Sequence, residues 1–200
     1  MRFIFVKIHI AWSENFVREF SKGFTLIEIL VVIVIIGTLA TIALPWYQRA
    51  IEKSRTVQAR QILDAAYKAE QMYFLINQTY ASNFDELDLT IPWPAATVWG
   101  HWFSDARGND EWVLNLERGT NSNVSVMVGR PSGPYEGAGF LYQMICTDYP
   151  AIPLHEPLCI EKKDGEHTFQ KEAGAYCGKL LSGTLVPGDT GSYRVYRVRL

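Results

Sequence analysis

Between Phe24 and Leu44 the chain reads FTLIEILVVIVIIGTLATIAL, an unbroken apolar run with one charge, Glu28. As a helix rising 1.5 Å per residue, this run matches the roughly 30 Å hydrocarbon core of a bilayer. A secretory signal should have a shorter apolar core followed by a small-residue cleavage site, and a soluble core helix should not be apolar on every face. The run therefore predicts a segment that resides in a membrane. A carboxylate inside such a segment costs about 2.5–3.5 kcal/mol on insertion scales. Glu28 is thus either a functional residue that needs a partner or a group that snorkels to the interface from the start of the run. Gly37, with poor helix propensity, and Pro45, which cannot donate to the Thr41 carbonyl, mark places where the helix can bend or locally melt.

Helical patterning continues past Pro45. Apolar residues at Ile62, Ala65, Ala66, Ala69, Met72, Tyr73 and Ile76 recur at spacings of 3, 4 and 7, with Arg60, Asp64, Lys68 and Gln71 elsewhere around the turn. One helix of about 80 Å is expected from Phe24 to Asn77, its first half in lipid or among neighbouring helices and its second half laid on a domain. The polar stretch from Gln78 to Asp88 ends it, and Ile91-Pro92-Trp93-Pro94 is loop chemistry. Residues 111–117, 123–129, 139–146 and 193–200 are short, rich in Val, Tyr and other apolar residues, and bounded by Gly, Pro, Asn and Ser, which reads as strands. The expected class is α+β, a long N-terminal helix packed on an antiparallel sheet of about four strands.

Length changes this picture little: 200 residues, 48% apolar and 20% charged, are enough for one compact domain plus one long extra element. The formal charge of −2 offers no general affinity for nucleic acid. At the C-terminus Tyr193-Arg194-Val195-Tyr196-Arg197-Val198-Arg199 interleaves basic and aromatic residues, but strand alternation puts Arg194 on one face and Arg197 and Arg199 on the other. Nucleic acid is not expected as a partner. His9, His101, His155 and His167 show no zinc spacing, Asp189 in GDTG lacks the acidic alternation of a calcium loop, and no nucleophile or phosphate-binding motif is present. No catalytic residue, cofactor or metal is expected. Trp93, Trp99, Trp102 and Phe103 crowd one loop. They are read as fastening it to the helix, with stacking on sugars or bases as the alternative. Three cysteines, Cys146, Cys159 and Cys177, suit one disulfide in an oxidising compartment with one thiol left over, and spacing does not choose the pair.

Lys22-Gly23-Phe24-Thr25-Leu26-Ile27-Glu28, followed by the apolar run with Gly37 and Pro45, resembles the processing signal of type IV pilins and secretion pseudopilins. The resemblance covers residues 22 to about 60, although the leader, residues 1–23, is longer and more apolar than is usual there. It implies that a prepilin peptidase cuts between Gly23 and Phe24 on the cytoplasmic side and methylates the new amino group of Phe24. Basic residues flank the span on both sides, so this orientation rests on the resemblance. It implies that Glu28 meets the Phe24 ammonium of a neighbouring subunit, fixing axial register in a bundle of helices. It further implies a C-terminal loop closed by Cys159–Cys177, leaving Cys146 as a buried free thiol. The resulting expectation is a leader (1–23), a membrane and filament-core half-helix (24–45), an amphipathic half-helix (46–77) and a globular head (78–200). The partners would be copies of the same chain, the prepilin peptidase, an assembly platform and the inner membrane. The chain would be a membrane precursor and then an extracellular or periplasmic filament. A secretion pseudopilin is the alternative within the family, and a monomeric single-pass binding protein the alternative outside it.

Overall fold

The computed structural model describes residues 25–99, 103–118 and 123–199. Helix α1 spans Leu26–Asn77, 52 residues with Pro45 inside it. The chain divides into two compact units at Tyr47 and Gln48.

In the first unit every described residue is exposed, including Leu26, Ile36, Leu39 and Ile42, each more than half open. This helix is long and apolar enough to cross a membrane.

In the second unit α1 contributes a stripe of buried residues, Thr56, Ala59, Leu63, Ala66 and Glu70, spaced by 3 and 4. The expected face was centred elsewhere. Ile62, Ala69 and Tyr73 lie on one flank of this stripe, Tyr67 and Phe74 on the other, and Met72 and Ile76 are exposed. The true face is turned by roughly a quarter of a revolution because two of its five positions, Thr56 and Glu70, are polar and carry no apolar signal.

The sheet has seven strands, all antiparallel, rather than about four: β1 (Phe103–Gly108), β2 (Val113–Arg118), β3 (Asn123–Gly129), β4 (Ala138–Cys146), β5 (Pro157–Lys162), β6 (Thr184–Leu185) and β7 (Tyr193–Arg197). Their spatial order is β1-β2-β3-β4-β5-β7-β6. Alternation assigns the two faces. Leu114, Leu116, Val124, Val126, Val128, Phe140 and Tyr142 join the helix stripe in one core. Met127, Leu141, Leu158, Ile160 and Val195 form a second core on the opposite face with Trp99, Ile152 and Val186. Seven of the nine residues of β4 are buried, as a strand covered on both faces requires.

The segment after α1 is tied down by polar contacts. Ala81 N–H donates to Glu70 (3.2 Å), Phe84 N–H to Asp105 (2.8 Å), and Arg107 bridges Asp85 and Asp105 at 2.9 and 2.6 Å. Of the aromatic cluster, Trp93 packs towards the helix-side core, whereas Trp99 belongs to the opposite core and Phe103 opens β1. Trp102 lies outside the described residues.

Candidate functional site

Thr25 precedes the first turn of α1, and Glu28 stands three residues on. The Glu28 carboxylate accepts the Thr25 N–H at 2.8 Å and the Thr25 hydroxyl at 2.8 Å, while Glu28 N–H donates to Thr25 Oγ1 at 3.3 Å. This is a reciprocal capping box, which satisfies amide donors that a helix start otherwise leaves open. It was legible as T-x-x-E, but the same residues were read for processing instead. Further along, Thr38 and Thr41 hydroxyls donate to the carbonyls of Ile35 (2.8 Å) and Thr38 (2.7 Å). A side chain added at Gly37 would meet nothing. The helix is continuous through Gly37 and Pro45. Gly23 and Phe24, the cleavage and methylation residues, lie outside the described residues.

The contacts that hold residues 48–77 of α1 against the rest of the second unit include the following sets. Glu52 pairs with Arg130, whose guanidinium also stands 4.5 Å over the Trp112 ring. Arg60 pairs with Asp64 (2.6 Å), which accepts the Tyr142 hydroxyl at 2.8 Å. Deeper in, the hydroxyls of Thr56 and Tyr176 are 2.7 Å apart, and both side chains are fully buried. Burial pushes the Tyr176 phenol far above its ordinary range, so it stays a neutral donor.

Tyr176 belongs to the C-terminal loop. The disulfide is Cys159–Cys177, with Cα atoms 5.7 Å apart, the pair implied by the family resemblance. Its first residues are not free loop, because Ile160, Glu161 and Lys162 continue β5. Glu161 is fully buried and accepts the amides of Gly174 (2.6 Å), Tyr176 (3.0 Å) and Cys177 (3.0 Å), with the Tyr196 hydroxyl at 3.4 Å. Such a ring of backbone N–H groups offsets the burial of the carboxylate. Sequence reasoning passed over Glu161 as part of a polar loop. Cys146 is free but only half-buried, a correction to the expected buried thiol, because it lies at the end of β4, where its Sγ reaches the Tyr149 carbonyl at 3.6 Å.

Residues 20–44 match the family model of the prokaryotic N-terminal methylation motif. The N-terminal segment is similar to those of proteins named as type IV pilins and as a type II secretion component. The chain is 56% identical to the type IV major alpha-pilin of Moraxella bovis over 49 residues, 24% of this chain and 31% of that protein. It is 36% identical to the type IV major pilin protein PilA of Myxococcus xanthus over 67 residues, 34% of this chain and 30% of that one. It is 35% identical to the type II secretion system core protein G of Pseudomonas aeruginosa over 77 residues, 38% and 54% respectively. The alignments span about a third of the length of the first two relatives. No solved structure matches. Among the described residues, no three His, Cys, Asp or Glu side chains converge as a metal site.

Proposed function

We propose that the chain is a structural subunit of a type IV pilus-like filament, held in the inner membrane as a precursor and polymerised through α1. The observation that carries the reading is an apolar helix, exposed at every described residue before Gln48, under a methylation motif. Apolar surface on that scale requires lipid or other helices as its surroundings. The relatives are named as pilins and as a secretion component. Cleavage between Gly23 and Phe24 leaves an ammonium on Phe24, and Glu28 is the one charged side chain in the run from Phe24 to Leu44. Pairing of Glu28 with the Phe24 ammonium of an adjacent copy neutralises both charges where water is scarce and sets the stagger between subunits. Gly37 and Pro45 supply flexibility for the transfer from bilayer to filament. The role is structural rather than catalytic. The C-terminal disulfide-bounded loop favours a pilus over a secretion pseudopilin.

The test is N-terminal sequencing and intact mass of protein from a native host, beside Glu28→Val assayed for filaments. The expected result is a mature chain starting at methylated Phe24, with filaments abolished by Glu28→Val. An unprocessed terminus together with normal behaviour of Glu28→Val would refute the filament and leave a single-pass anchored protein.

A further inference from the structure

Beyond the apolar run, α1 carries Arg49, Lys53, Arg55 and Arg60 in little more than three turns. The last two are accounted for within the second unit. Arg55 pairs with Glu52 (3.3 Å) and Glu111 (3.2 Å), and Arg60 pairs with Asp64 (2.6 Å). Glu52, the one acidic residue among positions 45–60, is also held by Arg130. Arg49 and Lys53 are exposed, and among the described residues neither side chain has a hydrogen bond or an ion pair.

Spaced by four, Arg49 and Lys53 share one face of the helix. Glu52 and Thr56, spaced in the same way, meet Arg130 and Tyr176 on another face, about a quarter of a revolution round. The two free cations are thus turned away from the contacts that hold α1 in the second unit.

Position along the chain sets their surroundings. Trp46 and Tyr47 come just after the apolar run, and these are the residue types that settle at a membrane–water interface. Arg49 stands five residues past Leu44, about 7.5 Å of helix rise, which is about the thickness of the headgroup layer outside the hydrocarbon core. Lys53 comes one turn later, but helical side chains lean towards the helix N-terminus, here the bilayer side, and its long stem lets the ammonium snorkel back. Both charges therefore fall at the level of lipid phosphates. A guanidinium fork fits phosphate oxygens and an ammonium adds a point charge. A zwitterionic headgroup brings its own ammonium to compete for that phosphate, whereas an anionic headgroup does not. A carboxylate on a second copy is the rival partner, but a precursor in the bilayer is surrounded by lipid before it meets another copy.

We infer that Arg49 and Lys53 form a binding site for the phosphate of an anionic phospholipid, in the leaflet at the C-terminal end of the span. The inference rests on the membrane part of the proposed function. It gives two of the basic residues beyond the span a task other than setting orientation.

The test has two readouts on the full-length chain. Flotation with vesicles of equal parts dioleoylphosphatidylglycerol and dioleoylphosphatidylcholine reports insertion. Native mass spectrometry of the chain released from micelles loaded with the same two lipids reports which one stays bound. Wild type should float, and should retain phosphatidylglycerol over phosphatidylcholine by about fivefold for each cation. The double variant Arg49→Gln/Lys53→Gln should float equally well yet lose most of that preference, whereas Lys163→Gln, which removes an exposed cation elsewhere in the second unit, should keep it. A wild-type chain that does not float overturns both this inference and the membrane reading beneath it. A chain that floats but retains the two lipids equally, or a double variant that keeps the preference, overturns this inference alone. So does a double variant that changes the dimer population and not the lipid adducts.

Discussion

Glu70 is fully buried in the helix stripe, where one carboxylate oxygen accepts the Ala81 N–H and the other has no partner. Desolvation is the largest influence on it, opposed by the Ala81 bond, reinforced by Glu86 and opposed by Arg118, and it raises the pKa from 4.5 to about 7. The folded chain therefore keeps a proton that the unfolded chain releases near pH 4.5, so this contribution to stability is full below that pH and declines as pH rises to 7. The loss is on the order of 3 kcal/mol. Urea unfolding should show wild type weaker at pH 8 than at pH 5 from this group, and Glu70→Gln should remove that part of the difference. Nothing in the sequence singled out Glu70, because a lone glutamate in a helix is ordinarily solvated. Its burial follows from the 3–4 stripe it shares with Ala59, Leu63 and Ala66. Glu28 was legible for the opposite reason, being a charge inside an apolar run.

For α1 as an element, the N-terminal box and the buried hydroxyl pair make separate predictions. Thr25→Ala removes the hydroxyl that bonds Glu28 in both directions, and should destabilise the first turn by about 1 kcal/mol. Amide exchange at Leu26–Glu28 in micelles would register this as faster exchange confined to that turn. Thr56→Val leaves the Tyr176 hydroxyl without its buried partner and should cost about 1–3 kcal/mol in head stability, read by chemical denaturation. Tyr176→Phe in the same background should recover part of that loss, because the orphaned hydroxyl is gone. The long helix was readable because its periodic signal extends over many turns. Four strands were readable for their Val and Tyr content. The other three were not: β1, FSDARG, is largely polar and carries a register shift, β5 begins with Pro157 and was absorbed into the cysteine loop, and β6 has two exposed residues that pair only with β7.

For the whole molecule, Cys159–Cys177 joins β5 to the loop that supplies Tyr176. Replacing both cysteines by serine should lower head stability by about 2–4 kcal/mol in denaturant, with Cys146→Ser as the control that changes it far less. The polar row on the sheet face opposite the helix stripe was beyond sequence reading, since Glu117, Ser125 and Gln143 meet only through the register of three strands. The aromatic loop hinted at the core on that face through Trp99, which the sequence reading had fastened to the helix instead. Strand order carries one more implication. β7, last in chain order, is not at the edge but sits between β5 and β6 and supplies Val195 and Tyr196 to the two cores. A chain synthesised from its N-terminal end can therefore begin to fold, yet its sheet stays open along β5 until the final strand emerges. A chain truncated before Tyr193 would be left with an unpaired strand edge, a ready substrate for quality-control proteolysis.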